Sequence, residues 1–191
     1  MSERDTDGEL GPQLAALASE HRDEFGPAMA WLVAHPEPAR PPLRQWIARG
    51  DDDMGTRRAF DVLGRIGHPD DVAPLAARLA KGPETISQDA AHGLALHRSP
   101  SALAALVAAT AAPTTSVAAA AIVALGERKD AAARPTLEQL LGSPSKILRF
   151  RAVHALLGLG PAPSRAALEA RRAVEKDGEV RGLIDRALGG R

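Results

Sequence analysis

The chain has 191 residues, no cysteine, and 24 basic side chains against 24 acidic ones. This excludes disulfides, thiolate metal sites and cysteine catalysis, and it offers no bulk attraction to a polyanion. Alanine is abundant, aromatics are confined to Phe25, Trp31, Trp46, Phe60 and Phe150, and the β-branched alternation of strands is missing, so the composition favours closely packed helices. No apolar run approaches the ~20 residues that span a bilayer. The opening MSERDTDGEL lacks the basic-then-apolar order of a secretion signal, and a cytoplasmic location is expected.

In chain order, residues 1–9 read as a disordered acidic tail. Residues 10–25, containing QLAALASEHRDEF, read as a first helix that caps the fold. Five helix pairs are expected over 27–50, 54–82, 85–111, 115–142 and 146–176, with a terminal helix over 179–189. Pro27 suits the first turn of a helix, and the prolines of HPEPARPP (35–42) predict a stiff, irregular connection within the first pair. Residues 10–191 are expected to form one domain.

The stretch RAFDVLGRIGHPDDVAPLAARL (58–79) recurs with a step of 31 residues. Leu63 is followed by Leu94, Leu125 and Leu156; Ala59 by Ala90, Ala121 and Ala152; Leu75 by Leu106, Leu137 and Leu168. Backward, the step reaches Ala28 and Leu32. Ala59 and Leu63 form an i, i+4 pair on one helical face, which Ile66 extends, and Val72, Leu75, Ala76 and Leu79 make a matching stripe on the next helix. The alanine column lets neighbouring helices approach, and the leucines fill the space between them. A unit this small cannot bury its apolar face alone, so stacking on its neighbours must do so.

LRFRAVHALLG (148–158) and VRGLIDRALGG (180–190) resemble the HEAT-like repeats, especially the short bacterial variety related to those of phycobilin lyases. That family's unit reads approximately V-R-x-x-A-x-x-A-L-G. Arg149 stands at its arginine position, whereas Thr56, Ser87 and Ala118 depart from it. The resemblance covers roughly residues 27–188 and implies an all-α, right-handed α-α superhelix, a HEAT-like solenoid of about five helix pairs plus capping helices. It is nearly silent on activity, because this architecture carries many functions.

No catalytic, cofactor-binding or metal residue is assigned. None of the six histidines is followed by glutamate, the pairing that di-iron hydroxylases built of HEAT repeats require. His92 and His97, five residues apart, point in different directions on one helix. Asp61 stands one repeat before His92, where a hydrogen bond between layers is expected. Phosphate-binding and nucleophile-elbow motifs are absent. Residues 1–53 carry eleven acids and five bases, a net of −6, and residues 147–191 carry five acids and nine bases, a net of +4.

SALAALVAATAAPTTSVAAAAIVALG (101–126) holds no charged residue. Burial accounts for its leucines and valines, while Ala104, Ala105, Ala108 and Ala109 fall at outward positions. A smooth, uncharged surface lowers the desolvation and ordering costs of docking. The expected function is therefore a non-catalytic protein-binding adaptor or assembly factor. Its partner face comprises Trp46, Arg78, Ala105, Ala109, Leu140 and Arg171 on successive second helices. The alternative is a bilin lyase-like enzyme or enzyme subunit, which the resemblance implies. A HEAT-like DNA-binding protein or glycosylase ranks below both, since two arginines separated by Ala109 and Leu140 make a poor phosphate track.

Overall fold

The computed structural model describes residues 3–189, which hold twelve α-helices and no strand. The helices are α1 (Glu3–Leu17), α2 (Arg22–Ala34), α3 (Pro36–Arg49), α4 (Met54–Ile66), α5 (Val72–Lys81), α6 (Glu84–Leu96), α7 (Pro100–Ala109), α8 (Thr115–Arg128), α9 (Arg134–Leu140), α10 (Lys146–Gly158), α11 (Arg165–Val174) and α12 (Gly178–Ala187). Short 3-10 turns precede α5, α9 and α11. Among the described residues no helix is long and apolar enough to cross a membrane.

The chain divides into two compact units, residues 1–105 and 106–191. In the first, α2, α4 and α6 pack in succession, and α3 and α5 pack beside them. In the second, α8, α10 and α12 form the succession, with α9 against α10 and α11 against α12. This is an all-α fold of repeated helix pairs. The three repeat columns have one physical role: Leu63, Leu94, Leu125, Leu156, Ala59, Ala90, Ala121, Ala152, Leu75, Leu106, Leu137 and Leu168 are all fully buried. Each such leucine contributes about 1.5–3 kcal/mol on leaving water.

The N-terminal elements differ from the sequence expectation. Where a tail over 1–9 and a helix over 10–25 were expected, α1 already runs from Glu3 and ends at Leu17. Met1 and Ser2 lie outside the described residues. Arg58 explains the break: its guanidinium donates to the Leu17 carbonyl at 2.7 Å and to the Ser19 carbonyl, and it lies 3.6 Å over the Phe25 ring. A side chain from α4 thus takes up carbonyls that a continuing helix would have used. Consequently α2 opens at Arg22 rather than at Pro27, which sits inside it.

The proline-rich segment is also helical. Pro36 opens α3, and Pro41 and Pro42 lie within it. Pro36 and Pro38 occupy the first turn, where backbone N–H groups have no intrahelical acceptor in any case. The helix is further secured from the next layer. Asp71, its side chain fully buried, accepts from Arg40 at 3.0 Å and from Arg44. A buried carboxylate needs such partners, because uncompensated charge in the interior is costly.

Arginines terminate helices elsewhere too. Arg134 donates to the Leu159 and Gly160 carbonyls beyond α10, at 3.1 and 3.0 Å, and Arg165 donates to the Leu188 carbonyl beyond α12 at 3.2 Å. Each closes the C-terminal end of a neighbouring helix, where positive charge is favoured.

Candidate protein-binding surfaces

The six residues expected at a partner face are all half-buried, and the structure gives them different surroundings. Trp46 lies in the last turn of α3, its ring against Gly55. Arg78 lies on α5 with its guanidinium over Gly50, the left-handed residue that ends α3. These two belong to the first unit.

Ala105 and Ala109 are one turn apart on α7, flanked by the exposed Ala104 and Ala108. In the second unit, Leu140 lines a recess of about 410 Å³ together with Thr110, Ala111, Thr136, Gln139, Ser143 and Leu148. No charged side chain lines it. The C-terminal ends of α7 and α9 both reach this recess, and neither helix has a basic residue in its last turn. The polarity there comes from hydroxyls, an amide and helix-end carbonyls, which suits a partner offering backbone N–H groups and uncharged side chains.

Arg171 does not present a free charge. It pairs at 2.7 Å with Glu175, which is fully buried and also binds Arg149 at 2.9 and 3.0 Å. The Arg149 hydrogen bonds, the backbone N–H of Asp177 and Arg171 together hold the Glu175 carboxyl down to about 2. Arg149 additionally donates to the Ser143 and Pro144 carbonyls, each at 3.0 Å. Two repeats earlier, Ser87 donates to the Gly82 carbonyl at 3.1 Å. The Ser87–Gly82 and Arg149–Pro144 bonds share one register, so part of the arginine position's work survives its replacement by serine.

The expected Asp61–His92 contact between layers is present at 3.8 Å. Burial opposes ionisation of Asp61, but hydrogen bonds from His92 and Arg65 outweigh it and draw the carboxyl below its ordinary value. A second recess, of about 640 Å³, lies between α11 and α12 and is lined by Arg165, Glu169, Arg172, Arg181, Asp185 and Leu188. Its charges largely neutralise one another, through Arg165–Glu169 at 3.2 Å and the Arg172–Asp185 pair.

Sequence reading missed the threonines, Gln139 and Ser143 of the uncharged recess. The charge-free run reaches only the Thr110–Ala112 side of the recess, since it stops at Gly126 and α9 carries Arg134 and Glu138; the other side forms where the end of α9 turns back, Gly142 donating to the Gln139 carbonyl and Ser143 to that of Leu140.

These features define an all-α helical-repeat protein. The HEAT repeats family model matches residues 103–189. No curated protein matches the chain. Among solved structures, a designed armadillo repeat protein is similar at 17% identity and a TM-score of 0.50, over 94% of this chain and 98% of that one. Another, solved in complex with the peptide (KR)4, has 18% identity and a TM-score of 0.49, over 95% and 98% of the two chains. The complex of CpcE and CpcF of phycocyanin lyase from Nostoc sp. PCC7120 has 22% identity and a TM-score of 0.45, over 93% and 74%. At these identities the likeness concerns the fold.

Proposed function

We propose that this protein is a non-catalytic protein-binding module, an adaptor or assembly factor, that holds an uncharged stretch of its partner on the surface of its second helices. The observation that carries the reading is the charge-free recess around Leu140, where two helix C-termini end without a basic residue. Ala109 borders this region at the end of α7, and Ala105 extends the same helical face by one turn. Short side chains there are already ordered, so docking loses little side-chain entropy and strips little bound water. Trp46 and Arg78 supply a second contact surface on α3 and α5. Arg171, held by Glu175, contributes by fixing the end of α11.

The test is panning of a random peptide library against the protein and against Ala109→Glu and Leu140→Glu, with circular dichroism as the control for folding. Selected peptides should bind the parent chain, and each substitution should weaken them about tenfold or more by placing an unpaired charge in the contact. Undiminished binding with intact helicity removes this surface. A visible absorbance shift on adding a free bilin would instead favour the lyase-like alternative. Salt-sensitive retention on duplex DNA would favour nucleic acid.

A further inference from the structure

The charge of the chain is uneven, with a net of −6 over residues 1–53 and +4 over residues 147–191, and the protein-binding reading uses neither. In the second unit the positive charge gathers at the recess between α11 and α12. Three arginines, Arg165, Arg172 and Arg181, and two carboxylates, Glu169 and Asp185, line it, a net of +1. Arg165 is held by Glu169 and by the Leu188 carbonyl, each at 3.2 Å, and Arg172 by Asp185. Arg181 is exposed, and among the described residues its guanidinium has no ion pair or hydrogen bond.

This face departs from the repeat. In steps of 31 residues the position of Arg172 is held earlier by Leu79, Thr110 and Leu141, all buried, whereas Arg172 is exposed. While α10 packs between α8 and α12, α12 rests on α10 and α11. A terminal repeat needs a polar outer face. Balanced ion pairs would meet that need; Arg181 adds an accessible cation in excess of it.

The first unit carries the opposite charge at the turn between α1 and α2. Residues 20–24 hold Glu20, Asp23 and Glu24 against Arg22, a net of −2 with His21 neutral. The three acids are exposed, and among the described residues none is in an ion pair. The turn is already ordered: Arg58 donates to the Leu17 and Ser19 carbonyls, and the His21 N–H donates to the Ser19 hydroxyl at 3.1 Å. An ordered acidic turn loses little conformational freedom on docking.

We infer that the chain self-associates head to tail: the acidic turn between α1 and α2 of one copy seats in the α11–α12 recess of the next, where the Asp23 and Glu24 carboxylates meet the free guanidinium of Arg181. This goes beyond the protein-binding reading and does not depend on the recess around Leu140. The two patches differ, so the contact is heterologous, and each added copy leaves one turn and one recess free unless a ring closes. Exposed charges carry the contact, so it strengthens at low salt and fades as salt screens them.

The experiment is static light scattering of the full chain over a range of concentrations, at low and at high salt, with circular dichroism as the control for folding. The parent's mass should rise with concentration at low salt and return to that of one chain at high salt. Arg181→Glu, on an exposed side chain, should weaken association about tenfold or more, because like charges then face each other. The pair Asp23→Lys and Glu24→Lys should do the same. Mixing these two variants should restore association: the acidic turn of the first meets the unaltered recess of the second, and its altered recess meets a basic turn.

A single-chain mass at every concentration in low salt overturns the inference, as does association that high salt or Arg181→Glu leaves unchanged. Association of the parent without association of the mixed, folded variants shows that the two surfaces are not each other's partners, which also refutes it. Peptide selection that Leu140→Glu abolishes, by a chain that stays single, leaves the protein-binding reading standing and this inference refuted.

Discussion

Gly64 of α4 and Gly93 of α6 meet so closely that a Cβ on Gly64 would lie 2.3 Å from the Gly93 carbonyl oxygen, and one on Gly93 would lie 2.6 Å from that of Phe60. The same contact returns 62 residues later, where a Cβ on Gly126 would lie 3.0 Å from Ala155. The two successive first helices thus touch through their backbones, and a shared register places the contact in both units.

Overpacking a rigid backbone contact costs about 1–3 kcal/mol. Gly64→Ala and Gly93→Ala are expected at or above the top of that range, since carbonyl groups inside helices cannot move aside. Gly126→Ala should cost less, because it meets an alanine that has only to give by a few tenths of an ångström. Urea unfolding midpoints of the three variants should rank in that order.

Glu175 gives the protein a defined sensitivity to acid. Its carboxyl is lowered from an ordinary 4.5 to about 2 by Arg149, the Asp177 N–H and Arg171. A carboxylate depressed on folding contributes stability that is fully present above its unfolded value and is lost as pH falls toward the folded one. The loss therefore runs from about pH 5 down to about pH 2. Glu175→Gln should lower the melting temperature at pH 7 and flatten its decline across that window. An unchanged acid slope would show that the Arg149–Glu175–Arg171 cluster has no part in it.

Lys129 ends α8 with φ 53, the one non-glycine residue with positive φ among those described. Its register is that of Gly67 (φ 69) and Gly160 (φ 84). An L side chain in this conformation costs about 1 kcal/mol relative to glycine. Lys129→Gly should therefore raise stability by about that amount, readable as a higher urea midpoint at constant m-value.

The sequence by itself determined the repeat and its buried faces. A 31-residue step in Leu63, Leu94, Leu125 and Leu156 is legible because each must occupy the same dry position against the next layer, and all four are fully buried. The helix pairs from Met54 onward follow, since Gly67, the proline and aspartate after it, and the apolar periodicity are local signals. What the tertiary structure decided lies where one residue's role is set by another far along the chain. The break after Leu17 depends on Arg58, the ordered α3 on Asp71, and the carboxyl of Glu175 on Arg149, each 26 to 41 residues away. Local preference cannot anticipate such partners. The uncharged recess is of the same kind: its residues scatter from Thr110 to Leu148, and the packing of α9 against α10 within the second unit helps gather them.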